Sequence, residues 1–268
     1  MVSDKERRIA LFIDFENLVT NTGISAATFD LQPAMDRLLE RGKVVFRRAY
    51  CDWSRFREAP RRLHDFGVEL IDVPPSTRAG KNGADMRMVI DALELCYARE
   101  HIDTFAIASG DSDFCPLGYK LRENNRMVIG LGVKEATSPL FVKACDEFIY
   151  LKPAGARPAA RREPQRKPSG QRVREVPAIA REVVASLLAR ATGPLNPSLI
   201  KETIVRKEPD FDEREAGFST FSRLLQEMER QGLLKRQQLN GRQWYVLPLD
   251  AAGSEKEAPG EENVGGES

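Results

Sequence analysis

Acidic side chains directly follow two apolar runs of this sequence. The run of residues 9–13 leads into Asp14, and the run of residues 104–108 leads into Asp111 and Asp113. Carboxylates gathered in one place repel each other, and holding them together costs free energy unless a cation lies between them. Carboxylate oxygens are also the ligands that Mg²⁺ and Mn²⁺ prefer. The two clusters therefore predict a site for divalent metal, provided that the fold brings them together.

A parallel sheet would bring the two clusters together. Short apolar runs are typical of strands buried on both faces, and ligands of an open parallel α/β sheet bind at the carboxyl ends of its strands. Strands are predicted over residues 8–15, 44–51, 68–73, 104–109, 127–131 and 148–151, and helices over residues 31–41, 55–66, 84–99, 114–123 and 138–144. Gly42 is predicted to end the first helix as its C-cap. This alternation predicts an α/β fold with helices on both faces of a parallel sheet.

The rest of the chain has a different character. Residues 152–174 are rich in arginine, lysine and proline and contain no aromatic residue, which predicts a flexible basic linker. Three helices are then predicted, over residues 176–190, from Asn196-Pro197 onward and over residues 218–231. Two short strands, 233–238 and 242–247, follow and are joined across Asn240-Gly241. We therefore expect domains at 1–151 and 175–248, the second a small winged-helix α+β domain, and a disordered acidic tail at 249–268.

Composition excludes several classes of protein. The 268 residues carry a net charge of only +1, so the chain as a whole is not a polycation. Its four cysteines form no CxxC pair and it has only two histidines, which argues for reduced, buried thiols and against a structural zinc site. The start of the chain lacks the apolar region of a signal peptide, and no apolar run approaches the roughly 20 residues of a membrane span. We expect a soluble, cytoplasmic protein that does not contact a membrane.

Asp85 is a third acid that a doubly wound sheet would carry to the same crevice, because it begins the helix predicted over residues 84–99. Asp85 and Asp113 also suit simple helix capping, and Asn17 suits closing a turn after the first strand. Asp14 and Asp111 are harder to explain in that way, because a carboxylate beside a buried apolar run is costly without a partner.

Other polar residues have structural interpretations. Asp91 lies among helix residues and is expected to pair with an arginine. Asp52 stands beside Trp53 in what we interpret as a packing corner, and Glu16 suits a solvated turn as well as a metal ligand. Ser109 has no histidine placed beside it, so a serine nucleophile is not expected.

Three sequence blocks resemble the signature blocks of the NYN domain family, which are PIN-like, FLAP-nuclease-like ribonucleases that depend on metal. The blocks are Leu11-Phe-Ile-Asp-Phe-Glu-Asn17, Lys81-Asn-Gly-Ala-Asp85 and Ser109-Gly-Asp-Ser-Asp-Phe114, and they occur in the order of the family. The resemblance covers residues 8 to about 151 and implies a PIN-like fold. It implies one or two Mg²⁺ or Mn²⁺ ions held by Asp14, Asp85 and Asp111, with Asp113 as a further ligand. It also implies that Asn17 contacts the metal or the phosphate.

Such a site would hydrolyse RNA, since a divalent metal activates water and neutralises charge on a phosphoryl oxygen. The RNA backbone needs a cationic track. Arg48, Arg55 and Arg57 belong to an arginine cluster on the second strand and the following helix, and a solvated charged face is the alternative explanation for them. Arg78 and Lys81 lie on the loop before Asp85, and Lys81 suits holding a phosphate close to the metal.

The second domain resembles the LOTUS, or OST-HTH, winged-helix family. The resemblance rests on residues 216–225, Ala-Gly-Phe-Ser-Thr-Phe-Ser-Arg-Leu-Leu, and on residues 241–247, which look like the final strand of the wing. It implies RNA binding, and it leaves room for a protein partner. Acidic residues alternate with the basic ones here, so we expect weak electrostatic binding of RNA by this domain.

Three hypotheses remain open from the sequence. The first is a ribonuclease, more specifically an endonuclease, with a tethered RNA-recognition domain. The second is a non-catalytic RNA-binding or adaptor protein whose acids hold a structural cation. The third is a phosphatase on a similar sheet, which the glutamate at position 16 and the apparent polymer-binding segments disfavour. A homo-oligomer is compatible with all three.

Overall fold

The computed structural model describes residues 6–20, 22–74, 82–151, 175–239 and 243–249. The chain divides into two units, the first made of Met1–Gln171 with Val205–Phe211 and the second of Arg172–Ile204 with Asp212–Ser268. The predicted linker 152–174, the turn at Asn240-Gly241 and the tail beyond residue 249 lie outside the described residues. Among the helices that the structure describes, none is both long and apolar enough to cross a bilayer.

The first unit alternates strands and helices. Its strands are β1 (Arg7–Asp14), β2 (Gly42–Cys51), β3 (Glu69–Asp72), β4 (Thr104–Ala108), β5 (Met127–Val133) and β6 (Glu147–Leu151). Its helices are α1 (Phe15–Val19), α2 (Gln32–Leu39), α3 (Ala59–Asp65), α4 (Gly83–Ala98), α5 (Cys115–Glu123) and α6 (Pro139–Ala144). The predicted α/β alternation is confirmed, with boundaries that differ by a few residues.

The six strands form one parallel sheet in the order β3-β2-β1-β4-β5-β6. From β1 the chain moves outward through β2 to β3, and from β4 it moves outward in the other direction. The strand order therefore reverses between β1 and β4, and a crevice opens at the carboxyl ends of such a pair. Asp14 ends β1, and Ser109 follows β4 directly.

Helices cover both faces of the sheet, and successive side chains of β1 point alternately to the two faces. Ile9, Leu11 and Ile13 pack with buried side chains of α1, α2 and α3, whereas Ala10 and Phe12 pack with those of α4, α5 and α6. All five side chains are fully buried. Burying them on two faces contributes on the order of 2 kcal/mol for each large side chain, which fixes the position of Asp14 at the end of the strand.

Two local predictions were wrong. Gly42 does not cap a helix but begins β2, where a Cβ atom would stand 2.4 Å from the carbonyl oxygen of Arg7. The single helix predicted over 55–66 is a 3-10 turn, Trp53–Arg55, followed by α3. Pro60 stands in the first turn of α3, where its missing N–H costs nothing, and it does not permit a helix to run continuously through it.

From residue 175 the chain forms three helices and a hairpin. These are α7 (Ala178–Leu188), α8 (Pro197–Lys207), α9 (Phe221–Arg230), β7 (Lys235–Leu239) and β8 (Gln243–Leu247), with β7 and β8 antiparallel. Helix α9 begins at Phe221 rather than at the predicted residue 218, because Thr220 caps it by accepting a hydrogen bond from the backbone N–H of Arg223. Val184, Ile200 and Leu224, one from each helix, are buried.

Candidate active site

The candidate site lies where β1 and β4 end side by side. Ile13 is the register partner of Ala108, so the next residues, Asp14 and Ser109, stand opposite each other. Both are buried, with Asp14 only 7% exposed and Ser109 fully enclosed. The apolar residues that precede them hold both strands in the core, and the polar groups are fixed at the strand ends for that reason.

Two hydrogen bonds join the segments after the two strands, and a third orders the segment after β4. The Ser109 hydroxyl donates to Oδ2 of Asp14 at 3.1 Å and accepts from the backbone N–H of Asp111 at 3.2 Å. Oδ1 of Asn17 accepts from the backbone N–H of Gly110 at 2.8 Å. The strand ends are thus tied together by Ser109 with the Asp14 carboxylate and by the Asn17 amide with the backbone of Gly110.

Gly110 is required by the close approach of the chain at this point. A Cβ atom there would stand 2.5 Å from the carbonyl oxygen of Ala136. From the sequence, Ser109 is weighed only as a nucleophile. Its position between the Asp14 carboxylate and the backbone N–H of Asp111 is not predicted. The signal that would have found it is the parallel pairing of β1 with β4, which sets the residue after Ala108 opposite Asp14.

The acids that follow the strands differ in their local roles. Asp14 and Asp111 each accept a backbone N–H from the turn that follows, at 3.2 Å from Asn17 and 2.9 Å from Asp113. Asp85 does not cap its helix, since Asn82 occupies the N-cap position and Asp85 lies half-buried in the first turn. Asp113 is exposed and is not a cap either. Helix capping therefore leaves Asp85 and Asp113 unexplained.

Electrostatic coupling shows that these acids lie near one another. Burial, followed by the charge of Asp85, raises the pKa of Asp14 to about 7, and Asp111 adds to the rise. Burial also raises the pKa of Asp85, with contributions from Asp111, Asp113 and Glu16. The hydrogen bonds from Asn17 and Ser109 lower the pKa of Asp14 without cancelling the rise. A cation between these carboxylates would relieve this cost.

The donor set suits a hard divalent cation, because every candidate ligand offers oxygen. Within the described residues, however, no three His, Cys, Asp or Glu side chains stand in an arrangement that would hold a metal ion. One reason is that both carboxylate oxygens of Asp14 face hydrogen-bond donors of the chain, the backbone N–H of Asn17 and the Ser109 hydroxyl. The residues fit a metal in chemistry, and their side chains would have to move to close around one.

The predicted RNA contacts fall into three groups. Arg48 bonds Glu69 at 2.6 Å and Asp91 at 3.2 Å, so its guanidinium is engaged within the fold. Arg55 is exposed, pairs with Glu16 and stacks on the Phe56 ring. Arg57 is exposed, and the described residues offer it no ion pair. Arg78 and Lys81 lie outside the described residues.

The structural interpretation of Asp91 is confirmed. Its carboxylate accepts from Arg48, from Arg87 at 2.9 Å and from the Tyr50 hydroxyl at 2.9 Å. Asp52 caps a 3-10 turn through Ser54, as suits a corner of the chain. All four cysteines are buried and free.

The N-terminal unit matches a known family. The family model described as NYN domain matches residues 8–152, which is more than half of the chain. An uncharacterized protein from Methanocaldococcus jannaschii is 30% identical over 146 residues, which are 54% of this chain and 56% of that protein. The chain thus spans little more than half the length of this curated relative.

A solved structure is also similar. It is the crystal structure of a protein of unknown function from Vibrio parahaemolyticus, with a TM-score of 0.48 and 24% sequence identity. The match covers 57% of this chain and 97% of that one.

Proposed function

This chain belongs to the NYN domain family, a group of PIN-like nucleases, and from that premise we propose that it is a ribonuclease dependent on Mg²⁺ or Mn²⁺. The observation that carries the proposal is the Asp14 carboxylate. It is buried at the switch point of the sheet, and its pKa is raised to about 7 by burial and by neighbouring carboxylates. Within the described part of the chain, no cationic side chain pairs with this carboxylate.

We assign the metal ligands to Asp14, Asp85 and Asp111, with Asp113 at the exposed side of the group. A bound divalent ion would supply activation of water and neutralisation of charge on a phosphoryl oxygen. Asn17 and Ser109 link the two strand ends, which keeps the segments that carry Asp14 and Asp111 next to each other. His64 and His101 are exposed and lie on or beside helices, so we assign no role to an imidazole.

The RNA track that we propose runs along α3 and the turn before it. Arg55, Arg57, Arg61 and Arg62 are exposed there. The Glu16 partner of Arg55 is also one of the charges that act on Asp85, which supports a position of Arg55 at the rim of the site. Arg48 is the weakest of the predicted contacts, because Asp91 and Glu69 already engage it. Lys81 and Arg78 keep their predicted roles near the phosphate.

We further propose that the C-terminal unit is a LOTUS-type winged helix that recognises RNA. Support comes from three helices followed by an antiparallel hairpin, and from Trp244, which is 45% exposed with Arg236 stacked on its ring. Exposed aromatic rings beside a guanidinium suit stacking with an unpaired base. The free, buried cysteines suit a reducing compartment such as the cytoplasm.

The test is cleavage of a mixed RNA pool by the full chain with Mn²⁺, with Mg²⁺ or with EDTA. We expect cleavage with a metal only, and a loss of roughly 1,000-fold or more in Asp14→Asn and Asp111→Asn, as befits removal of transition-state charge stabilisation. Arg57→Ala, which leaves the acids intact, should weaken RNA binding while cleavage of saturating RNA persists. Unchanged cleavage by both aspartate variants would assign the activity to a contaminant.

A second candidate function is a non-catalytic RNA-binding protein whose acids hold a structural cation. The observation that favours the absence of catalysis is that the described carboxylates do not stand as a ready set of three ligands, and a structural cation would have to draw them together just as a catalytic one would. Full RNA binding without turnover under every metal condition would support this alternative over the ribonuclease.

A further inference from the structure

Helix α4 carries an apolar stripe on the side that faces away from the sheet. Met86, Ile90 and Tyr97 are 63%, 56% and 60% exposed, and Leu93 between them is partly buried. These four residues are called the α4 stripe below. The opposite side of the helix buries Met88, Ala92 and Cys96 in the core, and Leu93 packs against its edge, so the three exposed members of the stripe are not needed to hold α4 on the sheet.

The spacing of the α4 stripe is that of a helix-pairing seam. Its members follow each other at intervals of four, three and four residues, which places all four within a narrow arc of the helix. Scattered exposed apolar residues are ordinary, but a contiguous row of large ones marks an interaction surface.

The charges beside the stripe favour a second copy of the same helix as the partner. Arg87 and Glu94 flank the stripe on one side, and both are exposed. Arg87 also bonds Asp91 of its own helix at 2.9 Å through Nε. In an antiparallel pair related by a twofold axis, the same flanks of the two helices meet, so Arg87 of each copy faces Glu94 of the other. Glu94 forms no ion pair with the described residues and is available for this contact. In a parallel pair related by a twofold axis, opposite flanks of the two helices meet, so Arg87 of one copy would not face Glu94 of the other.

We propose that the α4 stripe is a homodimer interface, on which α4 of a second copy of this chain docks antiparallel. Met86 of one copy then lies near Tyr97 of the other, and Ile90 near Leu93. This inference does not depend on the proposed nuclease function.

The neighbouring helix α5 extends the surface. The Tyr97 hydroxyl accepts from Asn124 just beyond α5 at 3.4 Å, and Tyr119 on α5 is 54% exposed. Stable interfaces bury about 1,200–2,000 Å² in total, which is more than four side chains per copy supply. Contributions from α5 are therefore part of the proposal, and a weak, concentration-dependent dimer is expected.

The dimer would place the two candidate sites at a fixed separation. Asp85 stands in the first turn of α4, so antiparallel pairing sets the two Asp85 residues about 20 Å apart along the helix axes, at 1.5 Å of rise per residue. One RNA strand could then reach both sites.

The test is sedimentation equilibrium of the full chain across a wide range of protein concentrations, without RNA. The wild type should shift on concentration from 30.1 kDa to twice that mass. Ile90→Glu, which places a carboxylate in the seam, should raise the dimer dissociation constant by about 30-fold or more, as hot-spot residues do. Leu39→Glu is the matched control, because Leu39 is 54% exposed on α2, on the opposite face of the sheet. A wild type that stays monomeric at every concentration, or an Ile90→Glu variant that dimerises normally, would overturn the proposal.

Charge reversal distinguishes pairing of two copies from any other use of this surface. Glu94→Arg should weaken the dimer by about tenfold, and the double variant Arg87→Glu with Glu94→Arg should restore it, because the attraction is then reversed on both sides. Because the double variant also removes the Arg87 bond to Asp91, thermal melting checks that Arg48 and the Tyr50 hydroxyl still hold Asp91 in place. Failure of the double variant to regain affinity while it melts like Glu94→Arg would refute the antiparallel arrangement.

Discussion

Two buried carboxylates of the N-terminal unit have opposite surroundings. Asp91 is 5% exposed and receives two guanidinium groups and the Tyr50 hydroxyl. Asp14 is 7% exposed and receives one hydroxyl and one backbone N–H, with further carboxylates nearby. Among the residues that the structure describes, the fold thus provides cations for the acid in the middle of α4 and none for the acid at the switch point. Asp91 stabilises the structure, and Asp14 stores an electrostatic cost that a cation can remove.

The largest effect on stability is expected at Asp91. Asp91→Asn removes the charged acceptor that Arg48 and Arg87 share with the Tyr50 hydroxyl, and Glu69 then remains as the charged partner of Arg48. The free energy of unfolding should fall by roughly 3 kcal/mol, since the change breaks a buried ion pair. Urea titration at pH 8 measures this change. A variant as stable as the wild type would remove the distinction between the two acids.

The opposite sign is expected at Asp14. The pKa of the folded state, about 7, lies above the ordinary value of 3.8, so the folded carboxyl prefers its proton. Its stabilising contribution is complete below pH 4 and is lost as the pH rises to 7 and above. Asp14→Asn should therefore raise stability by roughly 2 kcal/mol at pH 8, with the gain vanishing near pH 4. The asparagine still accepts the backbone N–H of Asn17, so capping is preserved.

Urea titrations of wild type and Asp14→Asn from pH 4 to pH 8, without divalent metal, test this dependence. A gain that does not change with pH would mean that the carboxylate charge is not its source. Such a result would leave burial of Asp14 without an electrostatic cost.

The bridge between the two strand ends should have a smaller effect. Ser109→Ala removes the hydroxyl that donates to Asp14 and accepts from the Asp111 N–H. We expect a loss of about 1 kcal/mol in stability, as for one buried hydrogen bond, and a further rise in the pKa of Asp14. Ser54→Ala is the matched control. It also removes a hydroxyl that donates to an aspartate, Asp52, but it does so at an exposed turn. Equal stability of wild type and Ser109→Ala would show that the bridge does not contribute.

Much of this arrangement is predictable from the sequence, because it depends on local patterns. Apolar runs define β1 and β4, and an acid directly after a buried strand must lie at its carboxyl end. The pairing of Asp91 with an arginine was likewise expected from an acid within a helix. These inferences need only the pattern of apolar and polar residues along the chain and the free-energy cost of burying a charge.

The remaining features depend on residues far apart in the chain. Arg48 was predicted to contact RNA, yet it reaches Asp91, which lies 43 positions away on α4. The sequence cannot assign that partner, because several arginines compete for it before the sheet order is known. The bridging role of Ser109 needs the β1–β4 pairing for the same reason. The start of α3 near Pro60 could have been predicted, because proline favours the first turn of a helix and its position is plain in the sequence.

Titration calorimetry of Mn²⁺ binding to the full chain, at pH 8 and without RNA, measures whether Asp14 holds the metal. We expect that the wild type binds Mn²⁺ and that Asp14→Asn loses this binding. The conservative change Asp113→Asn at the exposed rim should weaken it less. Binding should also fall as the pH drops below 7, because protons then compete for Asp14. A wild type that does not bind Mn²⁺, or an Asp14→Asn variant that binds it equally well, would contradict the account.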